Sequence, residues 1–167
     1  MRRAFTIIEL LVVLGIAAIL AGMSVLAIAP LFRGRAMASA ESEVVTAAYE
    51  ARFAAASSGA VRALVINSVD RSLYIADITD CPNVRDLTSA KRLTAPQFLP
   101  IGVNFAAIGG ESVFDLSGNP RGQAIAFRPT GHLDPQRNLG VGPRKVILAD
   151  GREIREVIVN LTGLIQR

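Results

Sequence analysis

Between Leu10 and Phe32 the chain runs for 23 residues without a charge. A helix of about 20 apolar residues crosses the ~30 Å hydrocarbon core of a bilayer, so this run is long enough to span one. What precedes it is as restrictive. Met1-Arg2-Arg3-Ala4 is a short basic stretch, and Phe5-Thr6-Ile7-Ile8-Glu9 leads into the apolar run. Glu9 sits at the edge of the span, where an ionisable group beside lipid is costly and usually has a partner. A secretory signal peptide would have a shorter apolar region, about 7–15 residues, followed by an Ala-x-Ala-like site. Ala27-Ile28-Ala29 has that form, but the run is too long. Neither a secretory signal nor a plain anchor accounts for Phe5 and Glu9 placed together ahead of the apolar residues.

The arrangement resembles the class III signal of type IV prepilins and type II secretion pseudopilins. In that family a basic leader ends in a small residue and the mature chain begins Phe-Thr-Leu-Ile-Glu. Here Ala4 stands where glycine is usual, and Phe5-Thr6-Ile7-Ile8-Glu9 follows. The resemblance implies that prepilin peptidase cuts the Ala4–Phe5 bond and that the new amine on Phe5 is N-methylated. It further implies an assembly charge pair, the α-amine of Phe5 in one subunit with the Glu9 carboxylate of its neighbour. In lipid, two unpaired charges cost more than one neutral pair, so such pairing favours docking and fixes axial register. Glu9 also suits the positive end of a helix dipole.

Charge sets the expected orientation. Arg2 and Arg3 precede the span and stay cytoplasmic under the positive-inside rule; Arg33 and Arg35 on the far side weaken the bias, but long segments are translocated largely regardless of charge. The expected location is the bacterial inner membrane, single-pass, with the C-terminal domain periplasmic and later in a filament. Net charge is +4, of which Arg2 and Arg3 supply two, so the mature chain makes no strong statement about acidic partners. Cys81 is the one cysteine and His132 the one histidine. No intrachain disulfide can form, although many major pilins close a C-terminal loop with one. A His/Cys zinc site lacks ligands, and Cys81 reads as an inert small hydrophobe.

Past the apolar run, residues 36–56 keep helix-forming composition. Met37, Val44, Ala48, Ala51 and Ala55 form one apolar row, Val45, Tyr49 and Phe53 a second, and Glu43, Thr46 and Glu50 another face. One helix from Phe5 to about Ala56 is expected, with a kink or local melting at Pro30 and a stop at Ser57-Ser58-Gly59. Strand texture follows. Val61–Asn67 and Ser72–Ile78 read as a hairpin, Thr79–Pro100 as an irregular excursion, and Val103–Ile108, Ser112–Leu116 and Gln123–Arg128 as strands separated by Gly109-Gly110 and Gly118-Asn119-Pro120. Pro129–Pro143 is a loop. Lys145–Ala149 and Ile154–Asn160 flank Asp150-Gly151, a dipeptide suited to the positive φ angles of a tight hairpin turn.

The expected class is α+β: a long N-terminal helix, transmembrane in its first half, packed on a mainly antiparallel sheet. The segments are a leader at 1–4, a transmembrane or filament-core helix at 5–32, its amphipathic continuation at 33–57 and a periplasmic β-rich domain at 58–167. Two C-terminal motifs narrow the resemblance. Phe127-Arg128-Pro129-Thr130-Gly131, and a last strand Val157-Ile158-Val159 running into Thr162-Gly163, are similar to the GspH/FimT family of minor pseudopilins and minor pilins.

No constellation for catalysis stands out. Gly109-Gly110 and Gly140-Val141-Gly142 do not open helices, as phosphate loops require, and His132-Leu133-Asp134 sits in a proline-rich loop. Catalytic, cofactor and metal residues are therefore expected to be none. The expected function is structural: a minor pseudopilin or minor pilin that joins or caps a short type II secretion or type IV pilus-like filament. Its partners would be prepilin peptidase, other pilins through the N-terminal helix, and the inner membrane. The alternative is a DNA-binding minor pilin of an uptake pilus, with weak contacts from Arg144, Lys145 and Arg152; secreted substrate is the other ligand class. The cluster Arg137, Arg144, Lys145, Arg152 and Arg155 supplies the charge such binding needs, but Asp134, Asp150, Glu153 and Glu156 are interleaved with it. A third reading is a signal-anchored periplasmic enzyme.

Overall fold

The computed structural model describes residues 7–108, 111–112, 123–138, 140 and 142–167. Two compact units make up the chain, residues 1–35 and 36–167. A single helix, α1 (Ile7–Ser58), contributes to both. It runs through Pro30 without interruption, so the local melting expected there is not seen. Proline removes one backbone donor, and the helical turns on either side persist.

The second unit holds two antiparallel sheets. In the first, β1 (Arg62–Asn67) pairs with both β2 (Ser72–Asp77) and β7 (Gln123–Phe127). Two short segments, β3 (Lys91–Arg92) and β4 (Gln97–Phe98), add to the outer edge of β2. The second sheet runs β10-β9-β8-β5-β6, from Ile165–Gln166, Ile154–Val159, Arg144–Ala149, Asn104–Ile108 and Glu111–Ser112 respectively. The turns at Gly109-Gly110 and Gly118-Asn119-Pro120, and most of the strand expected at Ser112–Leu116, lie outside the described residues. Class and architecture are those of the sequence reading: α+β, pilin-like, with an N-terminal helix against antiparallel sheet.

The core lies where α1 meets the inner faces of both sheets. Met37, Ala40, Val44, Ala47, Ala48, Ala51 and Ala55 are buried there, against Leu64, Ile66, Ile125 and Phe127 of the first sheet and Val146, Leu148, Val157 and Val159 of the second. Small residues on the helix face large ones on the sheets, which allows close approach without voids. The second apolar row of the sequence reading is corrected here. Val45 is buried, but Tyr49 is 44% and Phe53 73% exposed. A step of four residues drifts by about 40° on a helix with 3.6 residues per turn, which carries Tyr49 to about 140° and Phe53 to about 180° from Val44.

The first sheet is covered on its other face as well. Ala63, Val65, Ala76, Ala124 and Ala126 pack with Ile78 and Cys81, and with Val84, Leu87 and Ala90 from the segment after β2. The expected irregular excursion at 79–100 is therefore a lid over the sheet, and it contributes β3 and β4. Burial on both faces explains why β1 reads as a continuous apolar run instead of alternating. Cys81 is buried, and burial pushes its thiol above the ordinary range. At the outer edge of β7, the Asn138 side chain both donates to the Ala126 carbonyl and accepts from its N–H, as a strand would.

Two turns near the C-terminus differ from expectation. Ala149 pairs with Ile154, so the β8–β9 loop is 150–153, longer than a two-residue turn. Of its residues only Gly151 has positive φ. The Asp150 carboxylate organises the rest by accepting from the N–H groups of Arg152 and Glu153. After β9 the chain turns at Gly163 (φ 74) and returns as β10, a strand the sequence reading left as tail. A Cβ on Gly163 would collide with the Gly131 carbonyl oxygen, which accepts from Arg52 Nε of α1 at 3.1 Å.

Two stability experiments follow on a chain of residues 36–167, which contains every buried apolar residue among those described and should be folded and monomeric. Ala51→Leu should cost about 1–3 kcal/mol in urea unfolding because the stripe has no room, whereas Phe53→Ala should stay within about 0.5 kcal/mol. Asp77 gives a pH test. Burial alone would raise its carboxyl, but hydrogen bonds from the Thr79 hydroxyl and N–H, with the Arg62 guanidinium, lower it to about 2. Its folded value lies below its unfolded one, so its contribution is complete above about pH 4 and is lost as pH falls toward 2. Asp77→Asn should be less stable than the parent at pH 7 and converge with it near pH 2.

Candidate functional site

Unit 1 offers one surface, the first half of α1. Glu9 is in the first turn of the helix and is exposed. Every large apolar side chain from Ile7 to Leu20 is also exposed, between 54% and 83%. Residues 10–14 are consecutive, so successive steps of about 100° place them all round the helix. A helix apolar on every side needs apolar cover on every side, from lipid or from other helices. Among the described residues, no helix is long and apolar enough to cross a membrane. The part of the expected span at 23–32 lies outside the residues whose side chains are described. Ala4 and Phe5, the expected cleavage and methylation positions, also lie outside.

Residues 1–25 match the prokaryotic N-terminal methylation motif. This supports a type IV pilin-like protein with a membrane-anchored N-terminal segment. The motif implies processing by prepilin peptidase and assembly with other pilins. Comparison with curated proteins and with solved structures gave no match.

Unit 2 carries the basic residues singled out in the sequence, and the fold disperses them. Arg144 lies on the same face of β8 as Val146 and Leu148, and its guanidinium donates to the Asn138 carbonyl. Lys145 lies on the opposite face and pairs with Glu156 at 3.2 Å. Arg152 is exposed in the β8–β9 loop. Arg137 is tied to Asp134 at 3.3 Å and donates through Nε to the Cys81 carbonyl. His132 meets the Thr130 hydroxyl at 3.3 Å, while Asp134 faces Arg128 and Arg137. Among the described residues, no group of three or more His, Cys, Asp or Glu could hold a metal ion.

Sequence reasoning missed the role of Arg155. It reaches Glu41 of α1 at 2.7 Å and Glu153 at 2.7 Å, and the Glu41 contact foremost raises its pKa. Glu41 and Arg155 are 114 residues apart, and no local pattern announces such a pair. With cations and carboxylates interleaved in this way, duplex DNA binding by residues 36–167 should be weak. Three free cations would give a salt slope near 2.7, at about 0.9 per phosphate contact. A slope of about one or less is expected by titration at two salt concentrations, unchanged when Arg144, Lys145 and Arg152 become Ala.

Proposed function

We propose that the chain is a structural minor pseudopilin or minor pilin of the GspH/FimT kind. It joins or caps a short type II secretion or type IV pilus-like filament after prepilin peptidase cuts at Ala4–Phe5. The observation that carries this reading is the conjunction, within residues 1–25, of the methylation motif with a helix whose described apolar residues are exposed on every side. Such a helix is insoluble alone and is satisfied first by lipid, then by neighbouring helices in a filament core. The leader stays cytoplasmic and residues 58–167 face the periplasm.

The α-amine of Phe5 and the carboxylate of a neighbour's Glu9 act as the docking pair. Both charges are poorly solvated at the membrane, so they gain from meeting, and the meeting sets the axial step between subunits. The chemistry in this account is done to the chain by the peptidase, and the chain itself acts as a building block, not a catalyst. DNA uptake is the second reading; the dispersal of Arg144, Lys145 and Arg152 does not favour it.

Mass spectrometry of membrane-extracted protein should show a chain that begins at Phe5 and carries an N-methyl group. A mature N-terminus near Pro30 would mark an ordinary signal peptide and end the pilin reading. Glu9→Ala should insert and be cleaved normally yet enter filaments roughly tenfold less, in keeping with a charge left unpaired. Normal filament entry by that variant would remove the docking pair.

A further inference from the structure

Beside α1 and β4 lies an open groove of about 490 Å³. Its helix wall carries the hydroxyls of Ser39, Ser42 and Thr46 with the Glu43 carboxylate, and its strand wall carries Gln97 and Phe98. Glu43 is half-buried and accepts from the Ser39 hydroxyl at 3.1 Å through Oε1. Its Oε2 is enclosed and has no hydrogen-bond partner. Glu41, two residues earlier, has Arg155 at 2.7 Å and Arg167 at 4.0 Å. Glu43 has no such cation among the described residues. An enclosed carboxylate oxygen without a donor is costly, and more so than a neutral group.

The opposite wall carries an aromatic ring that is equally unused. The Phe98 ring is 63% exposed. Ser72 pairs with Phe98, and Leu99 N–H donates to the Arg71 carbonyl at 2.8 Å. These bonds bring Val69 (76% exposed) and Ile101 (91%) to the same end of the sheet. A groove lined by a carboxylate and an exposed aromatic ring fits one kind of side chain: a long aliphatic stem ending in a cation. The stem and cation lie against the ring, and the head donates charge-assisted hydrogen bonds to the carboxylate once the half-buried Glu43 side chain turns Oε2 out to the groove.

We propose that this groove receives an arginine or lysine side chain of a neighbouring pilin-type subunit. The inference rests on the reading of the chain as an assembling subunit and adds a contact in the globular domain to the one at Glu9. Charge balance supports it: of 18 Lys and Arg, Arg2 and Arg3 leave with the leader, and the rest still outnumber the 14 Asp and Glu, so a neighbour of like composition has cations to offer. An acid groove that takes a cation from elsewhere on the next molecule is a head-to-tail contact. Contacts of that kind propagate into filaments instead of closing on themselves.

The test uses the full-length chain in cells that assemble the filament. Thr46→Cys places an exposed thiol on the groove, while the native Cys81 is buried and escapes labelling. A photocrosslinker attached there should capture a peptide with an Arg or Lys within a few residues, from a subunit that carries a prepilin motif. Yield should fall at least about fivefold in Glu43→Gln and in Phe98→Ala, as expected for loss of a charge-assisted contact, with thermal melts unchanged. Glu43→Arg should abolish the crosslink, and changing the captured cation to Glu should restore it. Unchanged yield in Glu43→Gln, or capture of lipid or of a protein without the motif, overturns the proposal. If the chain begins at Phe5 and filaments form, such a result removes only the groove contact. If the chain is not cut at Ala4–Phe5, the pilin reading itself falls and this contact falls with it.

Discussion

The close fit of an alanine stripe against two sheets governs the rest of the second unit. Ala40, Ala47, Ala48, Ala51 and Ala55 bring the α1 backbone down onto Phe127, Leu64 and Ile125 on one side and Leu148 and Val157 on the other. One helix thereby supplies the shared wall that both sheets need, since a sheet with one apolar face must cover it. The polar contacts are arranged around that fit. Arg52 reaches the Gly131 carbonyl and Glu41 reaches Arg155, which ties the helix to the loop after β7 and to β9.

How much of this was legible depended on range in sequence. The helix, the β1–β2 hairpin and the β8–β9 hairpin are local patterns, and their existence and approximate bounds were readable. Tyr49 and Phe53 misled because hydrophobicity marks a residue as apolar without saying which part of the helix circumference it occupies. The row that does face the sheets, Met37, Val44, Ala48, Ala51 and Ala55, was readable, and Ala40 and Ala47 join it. The segment 79–100 read as irregular because its order comes from what it covers, Ala63, Val65 and Ala126, and not from its own periodicity. β10 has only two residues and owes its pairing to the turn at Gly163.

The candidate sites divide along the same line. The N-terminal motif was legible because it is contiguous. The basic cluster near the C-terminus was contiguous too, but contiguity misled there. Strand alternation sends Arg144 and Lys145 to opposite faces, and interleaved carboxylates engage several of the cations. The Glu43 groove was not legible at all, since Phe98 and Thr46 meet only after β4 has joined the edge of β2. The same helix thus carries two kinds of surface, one all apolar and one amphipathic.

The pairing of Glu41 with Arg155 has a kinetic side. It joins residues 114 positions apart, and Arg52 with Gly131 joins residues 79 apart. Contacts this distant in sequence must close long loops before they reward the chain, which slows folding. Residues 36–58 are made early, yet their alanine face stays uncovered until β8 and β9 have been synthesised. The second unit can therefore close only once its last strands meet the helix that was made first.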